Sequence, residues 1–189
     1  MCGRMNVIDN PKVIQLCESL GFTFYTENND DLRPSQSVAC ITKQSEQFQQ
    51  INLDWGIKPS WSKKLIINAQ SETTAIKKTF KSAFESNRCI IPVEGWYEWR
   101  DEGGKRKQKY YFNQSENEPL YMAGIWFSEN NQLVTLTTRA NEKCETIHKR
   151  MPVLIKETDF SIWLTSPINE TQELFHAAAN EYIQFNKSN

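Results

Sequence analysis

Seven short runs rich in β-branched and aromatic residues follow one another through this 189-residue chain, and they constrain its fold more than any other feature. They lie at 37–42, 48–55, 89–93, 96–99, 109–113, 120–127 and 133–138, separated by turn-forming residues. Helical patterns are confined to the margins. Asp9-Asn10-Pro11, then Val13, Ile14, Cys17 and Leu20, then Gly21, predicts a helix with a cap, a proline in its first turn and a glycine stop. Ile76, Phe80 and Phe84 fall on one helical face, and 158–164 and 169–179 predict two closing helices, the second opened by Asn169 and Gln172 as a capping box. The fold class expected is α+β, a mainly antiparallel sheet curled into an open barrel with peripheral helices. One domain spans 1–189, with 180–189 a loosely ordered tail.

Composition excludes several classes. No stretch of about eighteen apolar residues is present, so no membrane span is expected. The N-terminus lacks the charged and apolar regions of a signal peptide, which points to the cytoplasm. Five cysteines, at 2, 17, 40, 89 and 144, are odd in number and form no Cys-x-x-Cys pair, which argues against a disulfide framework and against a zinc site. No cofactor and no metal are expected.

Net charge is −1, yet its distribution is uneven. Lys58, Lys63, Lys64, Lys77, Lys78 and Lys81 face the single acid Glu72 within 58–81, and Arg100, Lys105, Arg106, Lys107 and Lys109 cluster further on. In the first segment the cations are interleaved with Trp55, Trp61 and Phe80, the combination that binds a single strand through phosphates and bases. A pair of solvated loops is the plain alternative, favoured for the second cluster around Gly103-Gly104, and core aromatics explain part of the first pattern equally well.

Cys2 carries the sharpest chemical signal. Removal of Met1 leaves a cysteine whose α-amine and thiol are neighbours, with unperturbed pKa values of about 7.7–8.0 and about 8.5. The amine can form a Schiff base with an aldehyde, and the thiol can close a five-membered thiazolidine on it. The plain alternative is that a small second residue merely suits a methionine aminopeptidase.

Three more segments concentrate polar groups. An apolar run ends in Asn68, which both donates and accepts. Glu98 lies between Trp96, Tyr97 and Trp99, and strand alternation puts Trp96 and Glu98 on one face. Aromatic neighbours raise a carboxyl pKa toward the range of proton transfer, whereas an edge-strand glutamate in water does nothing of the kind. His148 is one of two histidines and precedes a strand-like run, while His176 falls in the predicted last helix. A lone histidine is often structural.

Taken in order, Met1-Cys2-Gly3-Arg4, Pro34-Ser35-Gln36, Trp55-Gly56-Ile57-Lys58-Pro59-Ser60-Trp61, Asn68-Ala69-Gln70-Ser71-Glu72-Thr73, the run Arg88 to Trp99, Thr137-Thr138-Arg139-Ala140-Asn141 and His148-Lys149-Arg150-Met151-Pro152 resemble the blocks of the SRAP family. These SOS response-associated peptidases shield abasic sites in single-stranded DNA. The resemblance implies that Cys2 is the nucleophile, exposed by autocatalytic removal of Met1 and joined to the ring-opened sugar as a thiazolidine. By the same resemblance Asn68 positions the Cys2 amine and backbone, and Glu98 acts as acid and base. His148 assists sugar ring opening and crosslink reversal.

The implied partner is single-stranded DNA containing abasic sites, met by a monomer that is nucleoid-associated when bound. Arg4, Trp61, Thr138 and Arg150 are the expected DNA contacts. Gln70 replaces the arginine of the common Asn-Ala-Arg block, which shifts the expected phosphate contacts onto Lys63, Lys64 or Lys77, with Arg33 before Pro34 a compensating cation. Two rivals remain on the sequence: an N-terminal-nucleophile amidohydrolase and a non-covalent single-strand binding module.

Overall fold

The computed structural model describes residues 2–114 and 118–188. In chain order it contains β1 (Met5–Val7), α1 (Pro11–Ser19), β2 (Asn29–Leu32), β3 (Ser37–Gln44), β4 (Gln47–Trp55), β5 (Asn68–Gln70), α2 (Ser71–Thr74) and α3 (Lys78–Ser86). There follow β6 (Arg88–Val93), β7 (Gly95–Arg100), β8 (Gln108–Asn113), β9 (Leu120–Phe127), β10 (Gln132–Arg139), α4 (Glu142–Glu145), β11 (Arg150–Pro152), α5 (Phe160–Thr165), α6 (Ile168–Thr171) and β12 (Gln184–Ser188). The class is α+β, as the strand runs predict.

Pairings in the larger sheet run round a ring. β10 pairs with β4, β4 with β3, β3 with β6, β6 with β9, and β9 returns to β10. All are antiparallel except β10 with β4, and β5 adds to β10 in parallel. Inside the ring stand Cys40, Leu53, Trp55, Ile91, Met122 and Leu133, all buried. The alternate residues Ile41, Ile90, Ala123, Ile125 and Val134 face outward and are covered by Val13 and Cys17 of α1, Phe80 and Phe84 of α3 and Trp163 of α5. Both faces of β6, β9 and β10 are therefore dry, which is why their sequences read as continuous apolar runs, whereas β4 keeps Gln47, Asn52 and Asp54 exposed. Each fully buried Leu, Ile or Phe contributes about 1.5–3 kcal/mol.

A second sheet has the order β12-β8-β7-β1-β2. β7 and β8 approach so closely at Gly95 that a Cβ there would lie 2.1 Å from the Phe112 carbonyl oxygen. Trp96 stacks on Phe112 at 5.0 Å between ring centroids, and Phe185 of β12 packs on Phe112 at 5.1 Å. Residues 184–188, expected as part of a loose tail, thus form a strand registered on β8 from Gln184 opposite Asn113 to Ser188 opposite Lys109.

Helix expectations hold at the front of the chain and shorten at the back. α1 starts behind Asn10, whose side-chain oxygen accepts from the Lys12 N–H at 2.8 Å, and Gly21 follows with φ of 89°. α3 buries Phe80 and Phe84, but Ile76 precedes it and is 75% exposed. The predicted helix 169–179 ends as α6 and a single 3-10 turn to Leu174, with no side-chain cap, and leaves His176 in irregular chain. Three alanines carry helix propensity, but two of their carbonyl groups are used elsewhere: Ala178 accepts from Asn141 at 2.7 Å and Ala179 from the Tyr182 N–H at 3.0 Å.

Candidate active site

The start of the chain is built into the second sheet. Met5 pairs with Trp96 and Asn6 with Gly95, while the Tyr97 N–H donates to the Arg4 carbonyl at 3.1 Å. Antiparallel register carried backward from Arg4 brings Gly3 and Cys2 along the half of β7 that bears Glu98. Cys2 is 1% exposed, its Sγ 3.6 Å from the Arg4 carbonyl oxygen. Burial, then the charge of Glu98, push its thiol above the usual range. The group is held as a protonated thiol. Met1, whose removal the resemblance implies, lies outside the described residues.

Asn68 reaches Cys2 from the other sheet. β5 runs parallel to β10 with Asn68 opposite Thr135, and the Asn68 side-chain N–H donates to the Cys2 carbonyl at 2.9 Å. The Thr135 hydroxyl donates to Asn68 Oδ1, which fixes the direction of the amide. Thr135 was not singled out in the sequence, where it reads as one more β-branched residue of a strand.

Glu98 is 3% exposed on β7, and burial raises its carboxyl to about 7. His148 Nδ1 lies 3.8 Å from Glu98 Oε1. Its ring is pinned by the Arg150 backbone, with Nδ1 3.1 Å from the Arg150 N–H and 3.1 Å from the Arg150 carbonyl oxygen. Burial lowers the imidazole from its ordinary value. Burial thus shifts both groups of the pair toward their neutral forms, the carboxyl upward and the imidazole downward. The four chemical positions expected from the sequence, Cys2, Asn68, Glu98 and His148, meet where the two sheets join.

Positions expected to contact DNA fare differently. Trp61 stands 68% exposed at the tip of a loop closed by mutual backbone bonds between Ile57 and Ile66, at 2.9 and 2.8 Å, and Lys63, Lys64 and Lys77 are exposed around it. Trp55 and Phe80, read with it as an interleaved set, are buried in the core. Arg4 Nε lies 3.1 Å from Asp31 and Arg33 Nε 2.9 Å from the same carboxylate, so two cations converge on one acid. Thr138 is 6% exposed and donates to the Phe175 carbonyl at 3.1 Å, which removes it from the surface. Arg150 is engaged internally: its guanidinium makes a two-pronged pair with Glu72 at 2.7 and 2.8 Å and also donates to Thr137. That pair holds the Glu72 carboxyl below its ordinary value. Strand sequence alone does not disclose Asp31 or Glu72 as partners, because both are ordinary surface acids until the chain closes.

Comparison with known proteins decides the family. Residues 1–187 match the family of SOS response associated peptidases, SRAP. The chain belongs to this family. Abasic site processing protein YoqW of Bacillus subtilis is 30% identical over 164 residues, covering 80% of this chain and 73% of its own. Abasic site processing protein YedK of Escherichia coli is 27% identical over 146 residues, covering 74% and 65%. A phage-related protein of Bordetella bronchiseptica shares the SRAP fold seen here with a TM-score of 0.81 at 24% identity, over 99% of this chain and 94% of its own. Among the described residues of this SRAP chain no three His, Cys, Asp or Glu side chains gather to hold a metal, the five cysteines are free and buried, and no helix is long and apolar enough to cross a membrane.

Proposed function

We propose that this protein recognises abasic sites in single-stranded DNA and joins them to Cys2 once Met1 is removed. The observation that supports the reading is that the Asn68 amide holds the Cys2 main chain, which runs along the half of β7 that bears Glu98, and that Glu98 pairs with His148. The damaged sugar has no base to unstack, so it enters a pocket without the cost of extrusion.

Chemistry follows from the protonation states. Glu98, with its proton retained to about pH 7, donates to the ring oxygen of the deoxyribose as the anomeric C–O bond breaks, and His148 accepts the hemiacetal proton. The neutral Cys2 amine adds to the resulting aldehyde, and loss of water gives the imine. The Cys2 thiol then adds across the C=N bond, its sulfur bonding to carbon and its proton passing to nitrogen, which closes the thiazolidine. Asn68 holds the residue by its carbonyl and leaves amine and thiol free to react. Self-removal of Met1 uses the same Glu98 as acid and base. Trp61 and the exposed lysines of its loop supply the ring and cations that a single strand requires.

Intact mass of the purified chain, before and after an abasic oligonucleotide is added, tests the reading. The expected result is loss of methionine, then a mass increase equal to the oligonucleotide less one water. Glutamine deamidation with no DNA adduct would favour the amidohydrolase, and salt-sensitive binding with no adduct would favour the non-covalent module.

A further inference from the structure

Arg150 faces two ways. Its main chain pins the His148 imidazole, with the N–H and the carbonyl oxygen each 3.1 Å from Nδ1, and its guanidinium reaches across to Glu72 in the two-pronged pair at 2.7 and 2.8 Å. The same guanidinium donates to the carbonyl oxygen of Thr137 and, at 3.3 Å, to its hydroxyl oxygen. Thr137 passes the connection on. Its hydroxyl donates to the Ala69 carbonyl at 3.3 Å, and it stands opposite Gln70 in the parallel pairing of β5 with β10. Glu72 follows Asn68 by four residues, in the first turn of α2, and that turn is tied back to β5 by the Thr74 hydroxyl, which donates to the Gln70 carbonyl at 2.7 Å. One guanidinium therefore joins the segment that carries Asn68 to the segment that carries His148. β11 is three residues long and begins at Arg150, so main-chain pairing alone holds that residue weakly. With the Arg150 side chain 16% exposed and that of Glu72 44%, the pair adds little stability. What it supplies is direction, because a planar fork gripped at both prongs cannot turn.

We propose that Glu72 and Arg150 are positioning residues, whose ion pair fixes the Arg150 main chain, and through it the His148 ring, in register with the segment that bears Asn68. The inference rests on the proposed abasic-site chemistry and deepens it. In this role neither side chain touches the reacting atoms; the pair acts on them only through the imidazole that Arg150 holds. A direct phosphate contact by Arg150, the role expected from the sequence, makes the opposite demand. Its guanidinium would have to leave Glu72 and Thr137, and with them the grip on His148.

The test measures adduct formation by the full chain over a range of abasic oligonucleotide concentrations, which separates the rate at saturation from the half-saturating concentration. Glu72→Gln and Arg150→Lys are each expected to lower the rate at saturation about 10- to 100-fold and to leave half-saturation unchanged. Arg150→Lys keeps a cation for a phosphate but cannot form the fork. The double variant should be no slower than the slower single one, because the two side chains act as a unit. A second readout needs no DNA. The chain has two histidines, and the imidazole signal of His148, assigned by its loss in His148→Gln, should move in Glu72→Gln together with its titration midpoint, while that of His176 stays. Both measurements are made well below the melting temperature of each variant. Weakened binding with an unchanged rate at saturation in Arg150→Lys, or tighter binding in Glu72→Gln with the His148 signal unmoved, overturns the positioning role. A parent that forms no adduct refutes the proposed function, and the His148 signal still decides whether Glu72 acts on that ring; a normal adduct rate in both single variants refutes only the positioning role.

Discussion

The side-chain amide of Asn68 donates to the main-chain oxygen of Cys2 at 2.9 Å, joining two sheets across 66 residues of sequence. Because Thr135 holds the other end of that amide, the direction of the bond is dictated by β10 and not by the mobile preferences of a terminus. Asn68→Ala should therefore cost stability of about 1–3 kcal/mol, from a buried carbonyl and a buried hydroxyl left without partners. Adduct formation should slow even in conditions where the fold is intact. Thermal melting together with adduct yield on a denaturing gel measures both.

Replacing Cys2 by Ala is expected to abolish the heat-stable adduct while leaving the melting temperature near that of the parent, since a small apolar side chain fills most of the same buried space. Survival of a stable crosslink in Cys2→Ala would overturn the thiazolidine assignment. A residue placed before Cys2 that resists removal should be as damaging as loss of the thiol.

Adduct formation should climb from pH 5 as the attacking amine loses its proton, and bend over above about pH 7, where Glu98 gives up the proton it donates. Glu98→Gln should be slow throughout and lack the bend. Initial rates across that range, fitted for both variants, decide the matter.

Stability carries its own pH signature. The Glu98 carboxyl is raised by burial from the ordinary carboxylate range to about 7, so between those limits the folded state holds more protons than the unfolded chain. Stability from this group is complete at low pH and declines as pH rises through 7, by up to about 3 kcal/mol. Chemical denaturation at pH 5 and pH 8 should show that decline in the parent and its near absence in Glu98→Gln.

Arg4 and Arg33 share Asp31, a carboxylate at the surface. If each guanidinium meets one phosphate, Arg4→Ala and Arg33→Ala should each reduce the slope of log K against log salt for single-stranded DNA by about 0.7. A salt titration in which neither slope changes would remove both from the interface.

The long strands were legible because burial on both faces makes their apolar content continuous, as in 120–127 and 133–138. β1 and β5 were not, for three residues carry too little pattern and are set by Trp96 and Thr135 opposite them. Cys2, Asn68, Glu98 and His148, which the structure brings to the junction of the sheets, were singled out through a family resemblance whose blocks keep their order. The internal partners of Thr138 and Arg150, Phe175 and Glu72, were not legible, because side-chain direction depends on groups that lie far away in the chain. In the same way nothing in 169–179 reveals that Asn141 will claim the Ala178 carbonyl.

β1 is an interior member of its sheet, flanked by β7 and β2, and β12 closes the far edge of the same sheet. The two chain ends are thus unequal places to attach anything. A purification handle or fluorescent fusion ahead of Cys2 would have to be threaded beside an inner strand and, under the proposed chemistry, would block the amine, whereas one at the other end follows an edge strand.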